Sequence, residues 1–202
     1  MSYKRFLTSG LILDSQTVGE DGFNLTIFTE NLGMIKAKAG GVRKSYSKMR
    51  PHLNLYSFGK YELIKGRIGW RVVGASTVGD FQFVWKNKLT AEPVARVLFL
   101  LFQLVPETEV SVNLFRELER AFTCLAIIPS NHLTEVFLNN WEHLTVMRLL
   151  NCLGYLSFDK DLDNLVKIED WGPETVNDLS PYRHQAVFVI NQGLASSHLV
   201  RF

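Results

Sequence analysis

Cysteine is scarce in this chain of 202 residues, which contains only Cys124 and Cys152. Two cysteines are too few for a disulfide framework or a cysteine-rich zinc site, and both lie in apolar helical patterns that predict buried thiols. Long hydrophobic runs are also missing. The longest, residues 97–105, is interrupted by Gln103 and is too short to span a bilayer. Because the N-terminus also lacks a secretory cleavage pattern, we expect a cytoplasmic protein that does not enter a membrane.

The common catalytic signatures are absent as well. The sequence has no phosphate-binding loop ending in Gly-Lys-Ser/Thr, no Gly-x-Ser-x-Gly and no His-Glu-x-x-His. Asp159, Asp161 and Asp163 alternate like the start of a calcium loop, but the required glycine and glutamate are missing, so residues 159–164 predict a polar loop. We therefore expect a protein that is not an enzyme and that carries no cofactor and no metal.

Acidic residues are absent from one long stretch, residues 31–61, which is rich in cations. Cations at this density repel one another unless an anion lies against them. A nucleic-acid backbone is the usual partner, because each neutralised phosphate releases condensed counterions; a solvated basic surface is the alternative. The formal net charge of +2 hides an asymmetry, since residues 1–80 carry +6 and residues 81–202 carry −4. This asymmetry predicts a basic nucleic-acid-binding domain, residues 1–80, followed by a second domain, residues 81–202.

The first half has the pattern of β-strands and the second half that of helices, which predicts an α+β chain. Five strands are predicted, at residues 5–13, 23–28, 34–39, 53–64 and 68–75. Five short strands with a longer link between the third and fourth fit an OB-type β-barrel, although an SH3-like barrel or half a sandwich has the same strand count. From about residue 81 onward, apolar residues recur at helical spacing. They predict an all-α domain with helices that begin at Pro93 and at Asn131, and a last helix from Ser180 to Gly193.

The candidate DNA-binding residues lie in the basic stretch and at a hairpin tip. Lys36 and Lys38 alternate with alanines and so share one face of the third strand. The glycine pair that follows lets the backbone approach a ligand closely. The candidates are Lys36, Lys38, Arg43, Lys44, Ser45, Lys48, Arg50, Arg67, Trp70 and Arg71. Aromatic residues available to stack on bases are Tyr46, Tyr56, Phe58, Tyr61 and Trp70, although most aromatic residues of a barrel belong to its core.

Several segments, in their order and spacing, resemble the bacterial recombination mediator family RecO. They are Gly-Leu-Ile-Leu at 10–13, Gly-Glu-Asp at 19–21, Phe-Thr-Glu-Asn-Leu-Gly at 28–33, Ala-Gly-Gly-Val-Arg-Lys-Ser at 39–45, Asn-Leu-Phe-Arg-Glu-Leu at 113–118 and Leu-Leu-Asn-Cys-Leu-Gly-Tyr-Leu at 149–156. The resemblance implies an N-terminal OB domain that binds single- and double-stranded DNA and anneals complementary strands. It also implies that the protein acts at the nucleoid together with RecR and single-strand-binding protein, so that RecA can load onto DNA. Many members carry a four-cysteine zinc motif after residue 156, and its cysteines are missing here.

Two further interpretations remain open at the level of sequence. One is an OB-fold RNA-binding or translation-associated protein, which competition between DNA and RNA at fixed salt distinguishes from a DNA-binding one. The other is an enzyme whose site is built from scattered residues such as Glu135, Glu142 and His143. For the partners, the resemblance implies that the helical domain docks the acidic C-terminal tail of single-strand-binding protein. Such a tail needs a cation for its carboxylate, and Arg116, Arg120 and Arg148 are the candidates.

Overall fold

The computed structural model describes residues 4–44, 46–78, 81–107, 110–156 and 160–197. The chain divides into two compact units. The first comprises residues 1–82 together with 105–115, and the second comprises residues 83–104 together with 116–202.

Five strands form a closed barrel in the first unit. They are β1 (Arg5–Val18), β2 (Gly22–Thr29), β3 (Gly33–Ala39), β4 (Phe58–Gly66) and β5 (Gly69–Thr77). Their order around the barrel is β1-β2-β3-β5-β4, and β4 closes the barrel by pairing with β1. Neighbouring strands are antiparallel except β3 and β5, which run parallel. The predicted OB-type barrel followed by helices is therefore confirmed.

Strand β1 is long enough to pair with two neighbours because it bends. Its first half pairs with β4 and its second half with β2, and a register shift between Ile12 and Asp14 marks a bulge. Alternation sends one set of side chains into the barrel. The interior is filled by Ile12, Leu25, Ile27, Ile35, Ala37, Ala39, Tyr61, Leu63 and Val72.

The connection between β3 and β4 is longer than the sequence pattern indicates. The fourth strand begins at Phe58 instead of residue 53, because Arg50–His52 form a short 3-10 helix and Tyr56 adopts a positive φ of 59°. The connection is nevertheless attached to the barrel, since Val42 and Leu53 are buried in the barrel core.

The second unit is helical. Among the described residues the α-helices are α1 (Lys88–Leu104), α2 (Val112–Ile127), α3 (Glu135–Cys152), α4 (Lys160–Lys167), α5 (Pro173–Asn177) and α6 (Arg183–Ser196). Helix α3 is buried along most of its length. The Trp141 indole N–H donates to the Ala121 carbonyl oxygen over 2.8 Å, and the Trp141 ring meets Phe122 edge to face.

Several helical segments differ from the sequence prediction. Helix α3, expected from about Asn131, begins at Glu135, because Ser130–His132 form a 3-10 turn and the Thr134 hydroxyl caps α3 by accepting from the Phe137 N–H. Helix α1 begins at Lys88, five residues before Pro93, because Asn87 caps it by accepting from the Leu89 N–H. Residues 160–164 belong to α4 and are not a loop, while Asp159 lies outside the described residues. The last helix begins at Arg183, after a 3-10 turn at Ser180–Tyr182, and continues through Gly193.

Candidate nucleic-acid interface

Two shallow grooves on the barrel share the tip of the β4–β5 hairpin. The smaller, about 250 Å³, is lined by residues of β1, β2, β3 and the tip. The larger, about 430 Å³, is lined by the end of β3 and by both strands of the hairpin. Lys38, Ile68, Gly69 and Trp70 line both grooves. The hairpin tip and Lys38 therefore border both grooves, which adjoin each other.

The strand pairing brings cations from distant parts of the sequence to these grooves. Lys38 on β3 is the direct cross-strand neighbour of Arg71 on β5. Both side chains are exposed and line the larger groove, together with Arg67 at the hairpin tip. Lys36, two residues before Lys38 on the same face, lines the smaller groove. Four predicted DNA-binding cations thus lie around one surface.

These cations differ in whether an acid already neutralises them. Lys36 forms an ion pair with Glu107. Lys38, Arg67 and Arg71 have no acidic partner among the residues that the structure describes. Their charge is therefore available to an external anion, such as a phosphate.

Trp70 is held in place beside the unpaired cations. Its ring meets Phe6 edge to face, with ring centroids 5.1 Å apart, and the Lys65 ammonium lies 5.3 Å from the Trp70 ring centroid. The cross-strand neighbours of Trp70 are Ala37 on β3, in the barrel core, and Lys65 on β4. Trp70 is half-buried, so part of its ring remains accessible at both grooves and can stack on a base.

Arg43 and Lys44 lie against the turn between β1 and β2. The Arg43 backbone N–H donates to the Asp21 carbonyl oxygen over 3.1 Å, and its guanidinium donates to the Gly19 carbonyl oxygen over 3.4 Å. The Lys44 ammonium is 3.4 Å from the Asp21 carboxylate. Both side chains are exposed but engaged by this turn.

The remaining candidates do not join the grooves. Lys48 and Arg50 are exposed. The short helix that contains Arg50 is attached through His52, whose Nδ1 is 2.8 Å from the Thr77 hydroxyl. Thr77 ends β5, six residues beyond Arg71, or roughly 20 Å at the usual rise of a strand. Ser45 lies outside the described residues.

Two of the five aromatic candidates for base stacking belong to the core. Tyr61 is fully buried, and this burial raises its pKa to about 12. Phe58 is also buried, against Phe81 and Phe115. Tyr46, by contrast, is 77% exposed within the basic connection. The accessible aromatic surface therefore comes from Tyr46, from the partly exposed Tyr56 and from Trp70.

Sequence reasoning missed several residues in or beside the grooves. Lys65 lies over the Trp70 ring, and Ile68 lines both grooves. Asn24 is the cross-strand neighbour of Lys38, and its buried side-chain oxygen has no hydrogen-bond partner within the described part of the chain. The alternation of β2 places Asn24 outward, a signal present in the sequence. The positions of Lys65 and Ile68 relative to Trp70 and the grooves depend on the geometry of the β4–β5 hairpin, which the sequence pattern does not reveal.

The cysteine thiols and the Glu142 carboxylate are partly or fully buried. Burial raises the pKa of Cys124 to about 12 and that of Cys152 to about 11, so both thiols are protonated and poorly nucleophilic at neutral pH. Glu142 is held by two hydrogen bonds from Arg96, each 2.6 Å long. Within the described ranges, no group of three or more His, Cys, Asp or Glu side chains is arranged to hold a metal. None of the described helices is both long and apolar enough to cross a membrane.

The three arginines of the second unit that are candidates to contact the tail of single-strand-binding protein differ in how far they are exposed. Arg148 is buried and donates to the carbonyl oxygens of Leu165 and Asp170. Arg120 is 3.0 Å from Glu117, whereas Arg116 is exposed. Arg148 therefore cannot serve as a surface contact for a partner's carboxylate, contrary to the prediction that included it.

The closed barrel and the helices that follow it define an OB-fold protein with an all-α second half. Residues 1–69 match the family model described as "Recombination protein O N terminal". Three relatives named "DNA repair protein RecO" extend the match. The protein of Clostridium perfringens is 29% identical over 154 residues, which are 75% of this chain and 60% of the relative. The protein of Heliobacterium modesticaldum is 27% identical over 171 residues, which are 83% of this chain and 59% of the relative. The protein of Dehalococcoides mccartyi is 28% identical over 111 residues, which are 55% of this chain and 44% of the relative. The chain is thus similar to proteins of the RecO family, and it spans about half the length of the curated relatives it matches.

Proposed function

We propose that this chain binds DNA through its barrel and acts in recombinational repair as a mediator. In this role it anneals complementary single strands and assists RecA to load onto DNA coated with single-strand-binding protein. The observation that carries the proposal is the cluster of Lys38, Arg67 and Arg71 around two adjoining grooves, exposed and without an acidic partner among the described residues. The names of the relatives support the assignment to DNA repair.

The arrangement suits binding that does not depend on base sequence. Lysine and arginine side chains that contact phosphates fix the position of a strand and carry no sequence information directly. Trp70 adds a ring face on which any base can stack. Annealing requires the neutralisation of two backbones and the exposure of their bases, and it requires neither a covalent step nor a cofactor. The surface therefore supplies what an annealing protein needs, for single- and double-stranded DNA.

The basic connection extends this surface. Arg43 and Lys44 lie at the turn that precedes β2, and β2 pairs with β3 beside Lys38. In this proposal a strand that leaves the grooves toward this turn meets Arg43 and displaces the Asp21 carboxylate from Lys44, with Ser45, Lys48 and Arg50 as further contacts. We assign DNA binding to the domain of residues 1–80. The domain of residues 81–202 then docks RecR and the tail of single-strand-binding protein, and acts on RecA indirectly at the nucleoid of the cytoplasm.

The test is the salt dependence of DNA affinity in the triple variant Lys38→Glu, Arg67→Glu, Arg71→Glu. Each lost phosphate contact reduces the slope of log affinity against log salt by about 0.7 for single strands, so the variant should lose about two units of slope and most of its affinity. Fluorescence anisotropy with a labelled oligonucleotide measures both quantities. Circular dichroism should show an unchanged fold, because all three side chains are exposed.

The matched control reverses three exposed lysines that do not line the grooves: Lys60, Lys86 and Lys88. It changes the net charge equally and should reduce the slope much less. Arg96 is unsuitable as a control because it pairs with the buried Glu142. If the groove variant retains the affinity and the slope of the unmodified protein, the proposed DNA surface is wrong. Tighter binding of an RNA competitor of the same sequence would instead favour the alternative of an OB-fold RNA-binding or translation-associated protein.

The mediator role is tested separately by strand annealing. Complementary oligonucleotides coated with single-strand-binding protein should anneal faster with the unmodified chain than with the groove variant. Equal rates for the two proteins would contradict the mediator role even if the chain binds bare DNA.

A further inference from the structure

Ile68 is the most exposed of the large apolar side chains that the structure describes, with 94% of its surface accessible. A single exposed apolar residue is ordinary on a protein surface. Exposure alone therefore does not indicate a function for Ile68, and its position in the fold has to be considered. It occupies the tip of the β4–β5 hairpin, where Gly66 pairs with Gly69 and only Arg67 and Ile68 connect the two strands.

The turn itself does not require isoleucine. Two-residue hairpin connections favour glycine, asparagine and aspartate, which adopt the necessary backbone angles or bond to their own backbone. Here Gly69 provides the positive φ, at 127°, and neither Arg67 nor Ile68 has one. A β-branched side chain is also stiff about its first torsion angle. The tip therefore presents a rigid apolar projection that contributes little to folding.

Cations lie on both sides of this projection. Ile68 lines the smaller groove together with Lys38, with Lys36, whose charge is paired with Glu107, and with the acidic Asp14. It lines the larger groove together with Lys38, Arg67 and Arg71, so the larger groove is the more strongly cationic of the two. A phosphate backbone that contacts Lys38 from one groove and Arg67 or Arg71 from the other passes beside Ile68 and the adjacent Trp70. The bases of such a strand then face an apolar edge and an aromatic ring.

We propose that Ile68 is a wedge that separates two successive bases of single-stranded DNA as the strand passes from one groove to the other. One base packs on Trp70, and Ile68 occupies the gap that the neighbouring base leaves. Apolar side chains inserted between base steps are an established way to unstack DNA. The inference rests on the proposed DNA binding and adds to it a preference for strands that unstack at low cost.

The wedge predicts a preference that charge alone does not produce. Adenosine oligomers stack strongly and thymidine oligomers weakly, so a wedge penalises the former, whereas phosphate contacts treat both alike. The unmodified protein should bind a thymidine oligomer of about 16 nucleotides, the upper end of the site size of one OB fold, more tightly than the matching adenosine oligomer. A fluorescent adenine analogue placed within the oligomer should report unstacking on binding.

The decisive variant is Ile68→Ala. It should lower the affinity for the thymidine oligomer about fivefold, as expected from partial burial of the carbons removed. The ratio between the two oligomers should move toward one, and the unstacking signal should be lost. The salt slope should not change, because no phosphate contact is removed. Ile68→Leu should restore most of the preference, since it retains the apolar volume.

Two controls separate the possible outcomes. Leu7→Ala removes a side chain that is 72% exposed on the same barrel and that does not line the grooves, so it should alter nothing. Ile68→Lys should increase affinity and steepen the salt slope while abolishing the preference for thymidine. If Ile68→Ala retains both the preference and the unstacking signal while Lys38→Glu, Arg67→Glu, Arg71→Glu loses binding, the wedge is wrong and the DNA surface stands. If the unmodified protein does not bind DNA, both are wrong.

Discussion

Arg148 shows how one residue can hold a helical unit together. Its side chain is 1% exposed and donates to the carbonyl oxygens of Leu165 and Asp170 over 2.8 and 3.1 Å. Its guanidinium also lies 4.4 Å from the centroid of the Trp171 ring and 3.4 Å from the Glu117 carboxylate. Burial lowers the pKa of Arg148, and the neighbouring Glu117 carboxylate opposes that effect. The residue therefore connects α3 with α4 and with the segment that follows α4.

Replacing Arg148 with methionine should therefore destabilise the helical unit. Methionine retains much of the apolar volume but removes the donor to the two carbonyl oxygens and one of the donors to the Glu117 carboxylate, which still accepts from Arg120 and Trp171. Removing one partner of a buried ion pair costs about 3–5 kcal/mol of unfolding free energy. Urea denaturation followed by circular dichroism measures this loss. The control is Arg120→Met, whose more exposed ion pair with Glu117 should contribute less than about 1 kcal/mol. Equal stability of the two variants would contradict this role of Arg148.

At the scale of elements, the packing of α6 depends on a glycine in its interior. A Cβ atom at Gly193 would lie 2.6 Å from Leu156 Cδ2, 3.2 Å from the Tyr155 carbonyl oxygen and 3.3 Å from Leu150 Cδ1. Glycine costs an isolated helix about 1 kcal/mol relative to alanine. Its presence here is explained by the close approach of α6 to the end of α3 and the residues that follow it.

Substituting Gly193 with valine should destabilise this packing. The Leu156 methyl group can move aside, but the Tyr155 carbonyl belongs to the backbone, so the larger side chain forces α6 away. Overpacking of this kind typically costs about 1–3 kcal/mol, and thermal denaturation should show a lower midpoint. Ala195→Val, two residues away on an exposed face of the same helix, introduces the same side chain without this contact. If the two variants have the same midpoint of thermal denaturation, the close approach of α6 to the Tyr155 carbonyl has no role in stability.

The elements that follow a simple periodicity could be predicted from the sequence. The five strands were predicted because buried and exposed residues alternate along them, as they do in Ile35, Lys36, Ala37 and Lys38 on β3. Helix α4 was missed because its buried residues Leu162, Leu165 and Val166 form too short a pattern among charged neighbours. Gly193 was interpreted as a helix end, since the sequence does not reveal close packing against a distant segment.

The candidate site was predictable in its charge but not in its geometry. The deficit of acids in residues 31–61 identifies Lys36 and Lys38, and the hairpin pattern identifies Arg67, Trp70 and Arg71. The contact between these two sets depends on the parallel pairing of β3 with β5, which joins residues more than 30 positions apart. Local patterns do not encode such pairing. For the same reason Lys36 could not be known to have Glu107 as a partner.

At the scale of the whole molecule, the barrel unit is not a continuous segment of the chain. Residues 105–115 belong to it together with residues 1–82. Phe115 is buried against Phe28 and Phe58, with ring centroids 5.6 and 6.2 Å apart, and Phe81 packs on Phe58 at 5.1 Å. The match to the family model ends at residue 69, before two of these four rings. The barrel therefore requires residues beyond the matched segment to cover its apolar surface.

The substitution Phe115→Ala tests this dependence. It removes a buried ring that contacts both β2 and β4, and a buried Phe→Ala change costs about 3–5 kcal/mol. We expect faster hydrogen exchange in the amides of Gly22–Thr29 and Phe58–Gly66, since local opening becomes less costly. Under conditions where the barrel remains folded, the salt slope of DNA binding should not change, because every groove cation is retained. Ile127→Ala removes an exposed side chain from the same helix and should leave the exchange of both strands unchanged. If Phe115→Ala also leaves it unchanged, residues 105–115 do not stabilise the barrel, and a fragment of residues 1–82 should then fold with the same protection.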